Sequence, residues 1–211
     1  MKKIKKIFLP LLTLVLMLPC FLISVSNVKA SEVSVSLSNY DYMRLTNEVN
    51  TIYHNLIKYD EATNKFIVNE TQTYTFYNGD SQSIQGVYLM KDNLNTGLNS
   101  GVTPNELIET KISDITYVLQ GNDINELLPP EYRASTMLRA AAPDYGLIGR
   151  CIKDAWGVAL GAGTLKTIVN LFKSGRFEAA AAALASSTAG KIAGIAALFA
   201  FVATCGIQDA H

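Results

Sequence analysis

Few side chains in this sequence are equipped for chemistry, and they are scattered. The 211 residues hold two histidines, His54 and His211, and three cysteines, Cys20, Cys151 and Cys205. A hydrolytic nucleophile needs a base beside it, and no Gly-x-Ser-x-Gly or Cys/His context surrounds His54. A metal centre needs His, Cys or carboxylates at ligand spacing, and the two histidines stand far apart without such neighbours. Gly161-Ala162-Gly163 is a fragment of a glycine-rich phosphate loop, but no strand pattern precedes it and the rest of the fingerprint is missing. No run of Lys and Arg is long enough to follow a nucleic-acid backbone. The expectation is a non-enzyme with no catalytic residue, cofactor, metal or nucleic-acid partner.

The chemistry that remains is thiol chemistry. Residues 1–30 read as a secretory signal: Lys2, Lys3, Lys5 and Lys6 precede an apolar run from Ile7 to Val25. Val28-Lys29-Ala30 then offers small residues at a cleavage point between Ala30 and Ser31. The apolar run is also long enough to anchor in a bilayer, but Pro10, Pro19 and the cleavage site favour removal. Cys20 goes with the signal, since Pro19 before it suits a lipoprotein site badly. Export leaves Cys151 and Cys205 in an oxidising compartment, where they can pair only with each other or stay as free thiols. A bridge would close a loop of about 55 residues and stabilise by roughly 4 kcal/mol in the chain-entropy picture.

The elements that position these cysteines lie in the last third of the chain. Residues 143–211 hold the only Trp, Trp156, and from Phe177 to Ile207 only Glu178 and Lys191 carry charge. Small residues alternate there with Leu, Ile, Val and Phe at helical spacing. Four or so helices are expected. Leu147 to Leu160 has Ile148, Ile152, Ala155 and Ala159 on one side and stops at Gly161-Ala162-Gly163. The next is capped by Thr164, carries Leu165, Ile168, Val169, Leu171 and Phe172, and breaks at Ser174-Gly175. Arg176 to Ala185 is Ala-rich, and Ala189 to Thr204 is apolar nearly all round, ending at Cys205-Gly206. Such a helix is buried in a core or sits in lipid. Its uncharged stretch from Ile192 to Cys205 has 14 residues, short of the roughly 20 that span a bilayer. Gly190, Gly194 and Ala197 would let a neighbouring helix come close.

Upstream, residues 31–142 carry 7 basic against 14 acidic residues, a net of −7, while residues 143–211 carry 6 against 4, a net of +2. This asymmetry suggests an acidic segment beside a mildly basic, apolar one. Ser38-Asn39 opens a helix with Leu45, Val49, Ile52 and Leu56 on its inner face and Arg44, Asn47, Glu48 and Asn50 on its outer face, ending near Tyr59. Tyr40, Tyr42, Tyr53 and Tyr59 read as half-buried packing rather than as an aromatic ligand face. Asp60 to Asn64 is turn-rich. Lys65 to Val68 and Thr71 to Tyr77 read as short strand or extended chain, and Asn78-Gly79-Asp80 as a turn. The sequon Asn69-Glu70-Thr71 carries no weight behind a signal of bacterial character. Ile84 to Met90 suits strand or helix, and Lys91 to Val102 reads as a loop. Thr103-Pro104-Asn105-Glu106 is a strong helix start, followed by Leu107, Ile108, Ile112, Ile115, Val118 and Leu119 at helical spacing and a break at Gly121-Asn122-Asp123. After Pro129-Pro130, residues 131–142 read as a linker open to proteolysis, with a short helix as the alternative.

A Lys-rich signal, an acidic region and a helical segment opening DYGLIGRCIKDAWG and closing with a second Cys resemble the secreted bacteriocin precursors of Gram-positive bacteria. The likeness is to the enterocin V and streptococcin A type, which are not lantibiotics. The resemblance covers about a third of the chain and rests on layout, on Cys151 and Cys205, and on segment size. It implies extracellular processing, an internal disulfide, a helical bundle and antimicrobial or antifungal activity.

The expected organisation is a signal over 1–30, an acidic pro-region over 31–130, a processing linker over 131–142 and a helical bacteriocin-like domain over 143–211. The fold class is mainly α: an α or α+β pro-region followed by a compact, disulfide-bridged helical bundle. Cutting is expected at Arg139, Ala140, Ala141 or Ala142. Trp156, Lys166, Lys173, Arg176 and Lys191 are expected to meet the anionic target surface, although cations so placed also suit an ordinary solvated face. Expected partners are the target-cell membrane or surface, a processing protease and an immunity protein, and the expected location is extracellular. The competing expectation is a secreted interaction protein whose C-terminal bundle is a structural or membrane-tethering module.

Overall fold

A computed structural model describes residues 37–137, 146–156, 160–187 and 193–207. All of them belong to one unit that runs from Ser34 onward. The first helix, α1 (Asn39–Thr51), starts where Ser38 accepts from the Asp41 N–H, relieving one orphan donor of the first turn. It passes into a π-helical turn, Ile52–Leu56, whose last bond runs from the Ile57 N–H to the Ile52 carbonyl. The helix therefore stops short of Tyr59, because Ile57 already begins strand β1 (Ile57–Asp60). Strand β2 (Lys65–Val68) pairs antiparallel with it, Ile57 opposite Val68 and Asp60 opposite Lys65. The Asn95 side chain closes the free edge of β2, accepting from the Phe66 N–H and donating to its carbonyl.

The rest is helical. Helix α2 (Glu70–Phe76) replaces the extended chain expected over Thr71 to Tyr77: Asn69 caps it by accepting from the Gln72 N–H, and a good cap outweighs the β-propensity of a short Thr/Tyr run. Asn78 and Gly79 take positive φ in the turn that follows. Helix α3 (Ser81–Gly97) is capped by Asp80 and settles the ambiguity of Ile84 to Met90. It also continues through most of the expected loop over Lys91 to Val102, because Val87, Met90 and Leu94 keep the helical period and are buried. Helix α4 (Pro104–Leu119) has the expected capping box between Thr103 and Glu106. A short 3-10 turn, Ile124–Leu127, leads to α5 (Pro130–Met137). The first part of the expected linker is thus helix. Tyr132 donates to the Lys173 carbonyl, and the Arg133 guanidinium donates to the Glu126 and Leu128 carbonyls.

Among the described residues four helices follow, matching the four or so expected: α6 (Gly146–Trp156), α7 (Ala162–Lys173), α8 (Phe177–Ser187) and α9 (Ile195–Ile207). The cap of α7 is Gly161, one turn ahead of Thr164. On α6, Ile148 and Ile152 are buried but Ala155 is exposed; Ala159 lies outside the described residues. In α8 every residue from Ala179 to Ala185 is buried, and in α9 Ile195 to Ala200 are. The apolar last helix lies at the centre of the core. It packs on α3, α8 and α6, and touches α1; α8 in turn packs on α4, α7 and α9. The C-terminal helices therefore share one core with the upstream region.

Candidate functional site

The seam between the upstream helices and α6–α9 concentrates the unusual chemistry of this chain. It is built on close backbone approach. A Cβ added at Gly86 of α3 would sit 1.9 Å from the Ala196 carbonyl oxygen of α9. Only glycine lets the two helices touch there. The side chain of Gln82, one turn earlier, donates to the Ala197 carbonyl.

Two carboxylates cross the seam in opposite directions. Glu48 of α1 is buried and accepts from the backbone N–H groups of Ile195 (2.9 Å) and Ala196 (3.3 Å). These are orphan donors at the positive end of α9. Tyr77 donates to the same carboxylate at 3.0 Å. Gly194, at φ +108°, makes the room, since a Cβ there would lie 2.8 Å from a Glu48 oxygen. Burial raises the Glu48 pKa, and the three hydrogen bonds and Arg44 oppose the rise. The outer-face placement expected for Glu48 is corrected here: it faces the core with Leu45 and Val49.

Glu178 of α8 makes the reverse crossing. It is 1% exposed and takes donors from three upstream helical turns: Asn93 Nδ2 at 2.5 Å, Lys111 Nζ at 3.0 Å and the Tyr53 hydroxyl at 3.5 Å. A charge so deep is tolerated only when paired and hydrogen-bonded. Burial, then the Glu178 charge, push the Tyr53 phenol well above its ordinary pKa. Alongside, Arg176 pairs with Asp114 of α4. Burial raises the Asp114 carboxyl, against the pull of Arg176.

The expected bridge is present. Cys151 and Cys205 are joined, with Cα atoms 5.7 Å apart, tying α6 to the end of α9. The expected surface cations divide. Lys173 is exposed and Lys166 half-buried, both on α7, whereas Arg176 turns inward to Asp114. Trp156 closes α6. Lys191, the cut region Arg139, Ala140, Ala141 and Ala142, and the signal site at Ala30 and Ser31 lie outside the described residues. Among the described residues no cluster of His, Cys, Asp and Glu could hold a metal, and no helix is long and apolar enough to cross a membrane.

Sequence reasoning missed Glu48, Glu178 and Gly86. A signal existed for two of them. Glu48 falls three residues after Leu45 and four before Ile52, on the apolar stripe itself. Glu178 is the one acid in an otherwise apolar helix, where only a buried partner makes it tolerable. Nothing local marks Gly86, whose need arises from a helix 110 positions later. Comparison with models of known protein families, with curated proteins and with solved structures finds no match.

Proposed function

We propose that the chain is the precursor of a secreted antimicrobial peptide, a bacteriocin, cut near residues 139–142 to free the bridged segment 143–211. The freed segment acts on microbial cell surfaces or membranes and needs no cofactor and no catalysis. One observation carries this reading. Helices α8 and α9 are apolar nearly all round, and much of their cover is α1, α3 and α4. Once the upstream region leaves, that surface needs a new apolar environment, which a membrane supplies. Arg176 loses Asp114 at the same moment and joins Trp156, Lys166, Lys173 and Lys191 as a contact for an anionic surface. Because the described helices are too short to span, the segment would lie in the interface or open there. A processing protease, the target surface and an immunity protein are the partners this reading requires.

A second reading rests on the continuous core. A chain whose two parts share buried charges is also suited to work intact, as a secreted interaction protein. Growth-inhibition assays separate the two. Wild-type culture supernatant should inhibit sensitive bacteria, and a variant with residues 139–142 replaced by alternating glycine and proline should be secreted but inert. Equal inhibition by both would overturn the precursor reading.

A further inference from the structure

We propose that cutting does not itself free the C-terminal segment. The upstream piece stays bound to it as a specific noncovalent partner, held by the exchange of Glu48 and Glu178. This rests on the reading that the chain is cut near residues 139–142, and it adds a release step to that reading.

The geometry supplies the reasons. Each piece hands the other a buried carboxylate that it cannot satisfy alone. Glu48 gives the upstream charge to the first N–H groups of α9. Glu178 gives the C-terminal charge to Asn93, Lys111 and Tyr53. Separation therefore strands Lys111 on one side and Glu178 on the other, and leaves the α9 terminus without its anion. Stranding one member of a buried pair costs more than the pair's net worth. The Gly86–Ala196 approach adds shape specificity, because it demands glycine opposite a backbone carbonyl. Net charges of −7 and +2 on the two regions add long-range attraction that salt screens; the buried exchange is screened much less. The bridge lies wholly within the C-terminal piece, so no covalent bond holds the pieces after the cut. The upstream piece would thus act as a built-in inhibitor, and an apolar surface such as a lipid bilayer would compete for α8 and α9.

The test uses the full mature chain with a specific protease recognition sequence in place of residues 139–142. After complete cutting at neutral pH, size-exclusion chromatography with native mass spectrometry should show both pieces co-eluting at the uncut size, in low and in high salt. In lipid-free buffer they should part only in denaturant. Separate elution of the wild-type pieces in plain buffer would overturn the proposal. Glu48→Gln and Glu178→Gln should each raise the dissociation constant of the cut complex at least about tenfold; unchanged dissociation would overturn the role given to the carboxylates. If either variant fails to fold uncut, Tyr53→Phe removes a donor that reaches from the upstream piece to Glu178 and is judged by the same criterion. The complex and the killing activity are read separately. A stable complex whose denaturant-freed segment does not kill refutes the antimicrobial reading alone; pieces that separate on cutting and kill refute this proposal alone.

Discussion

Single residues decide whether the two parts of this chain can share a core. Gly86 is the tightest point, and Gly86→Ala forces α3 and α9 apart at the Ala196 carbonyl. The expected cost is about 1–3 kcal/mol, the usual range for overpacking, read as a lower denaturant midpoint; an unchanged midpoint would mean that the helices can part without loss. Tyr53 makes stability depend on alkaline pH. Its folded pKa lies above its unfolded value of about 10. Its contribution is therefore complete below pH ~10 and is lost as pH rises through the raised value. Stability should fall by up to about 1.4 kcal/mol per pH unit above pH ~10 on account of this one phenol. Chemical denaturation at a series of alkaline pH values checks this, and Tyr53→Phe should flatten the decline; an equally steep variant would contradict the assignment. These residues were only partly legible beforehand. The periodicity of Leu45, Val49 and Ile52 already enclosed Glu48, but a Glu reads as solvent-facing until its partner is known, and that partner lies 147 positions away.

At the scale of elements, α9 and the bridge carry the segment. Ile195, Leu198, Phe199 and Val202 are all buried in α9, each stabilising by roughly 1.5–3 kcal/mol. Ala197→Asp would bury a charge with no partner, and circular dichroism should show the helical signal lost; a variant that stays folded would show that α9 is not the centre of the core. The bridge holds α6, which buries Ile148 and Ile152. Its loss should cost roughly 4 kcal/mol for a closed loop of this size, lowering the Tm of Cys151→Ser or Cys205→Ser by about 10 °C. An unchanged Tm under reducing conditions would contradict this. The helices of the last third could be read from their periodicity and glycine breaks, and α4 from its capping box. Helix α2 could not, because Thr71 to Tyr77 has strand-like composition and its helix depends on the Asn69 cap. Nor could the second half of α3: Asn93 and Asn95 look like loop residues, yet one serves Glu178 and the other closes the edge of β2.

At the scale of the whole molecule, the sequence divides where the core does not. Charge and composition change at about residue 142, yet α3 and α9, and likewise α4 and α8, pack across that division. A linear scan cannot foresee this, since an all-round apolar helix states that it must be covered without stating by what. The proposed life of the chain follows from the contrast: a precursor folded as one body, cut at its junction, then separated. The most direct test is intact-mass analysis of proteins in the culture supernatant of cells expressing the full sequence. The account predicts a fragment beginning between residues 140 and 143 and retaining Cys151 and Cys205, lighter than its reduced form by the hydrogens that the bridge removes. A supernatant containing only the uncut chain after signal removal would contradict it.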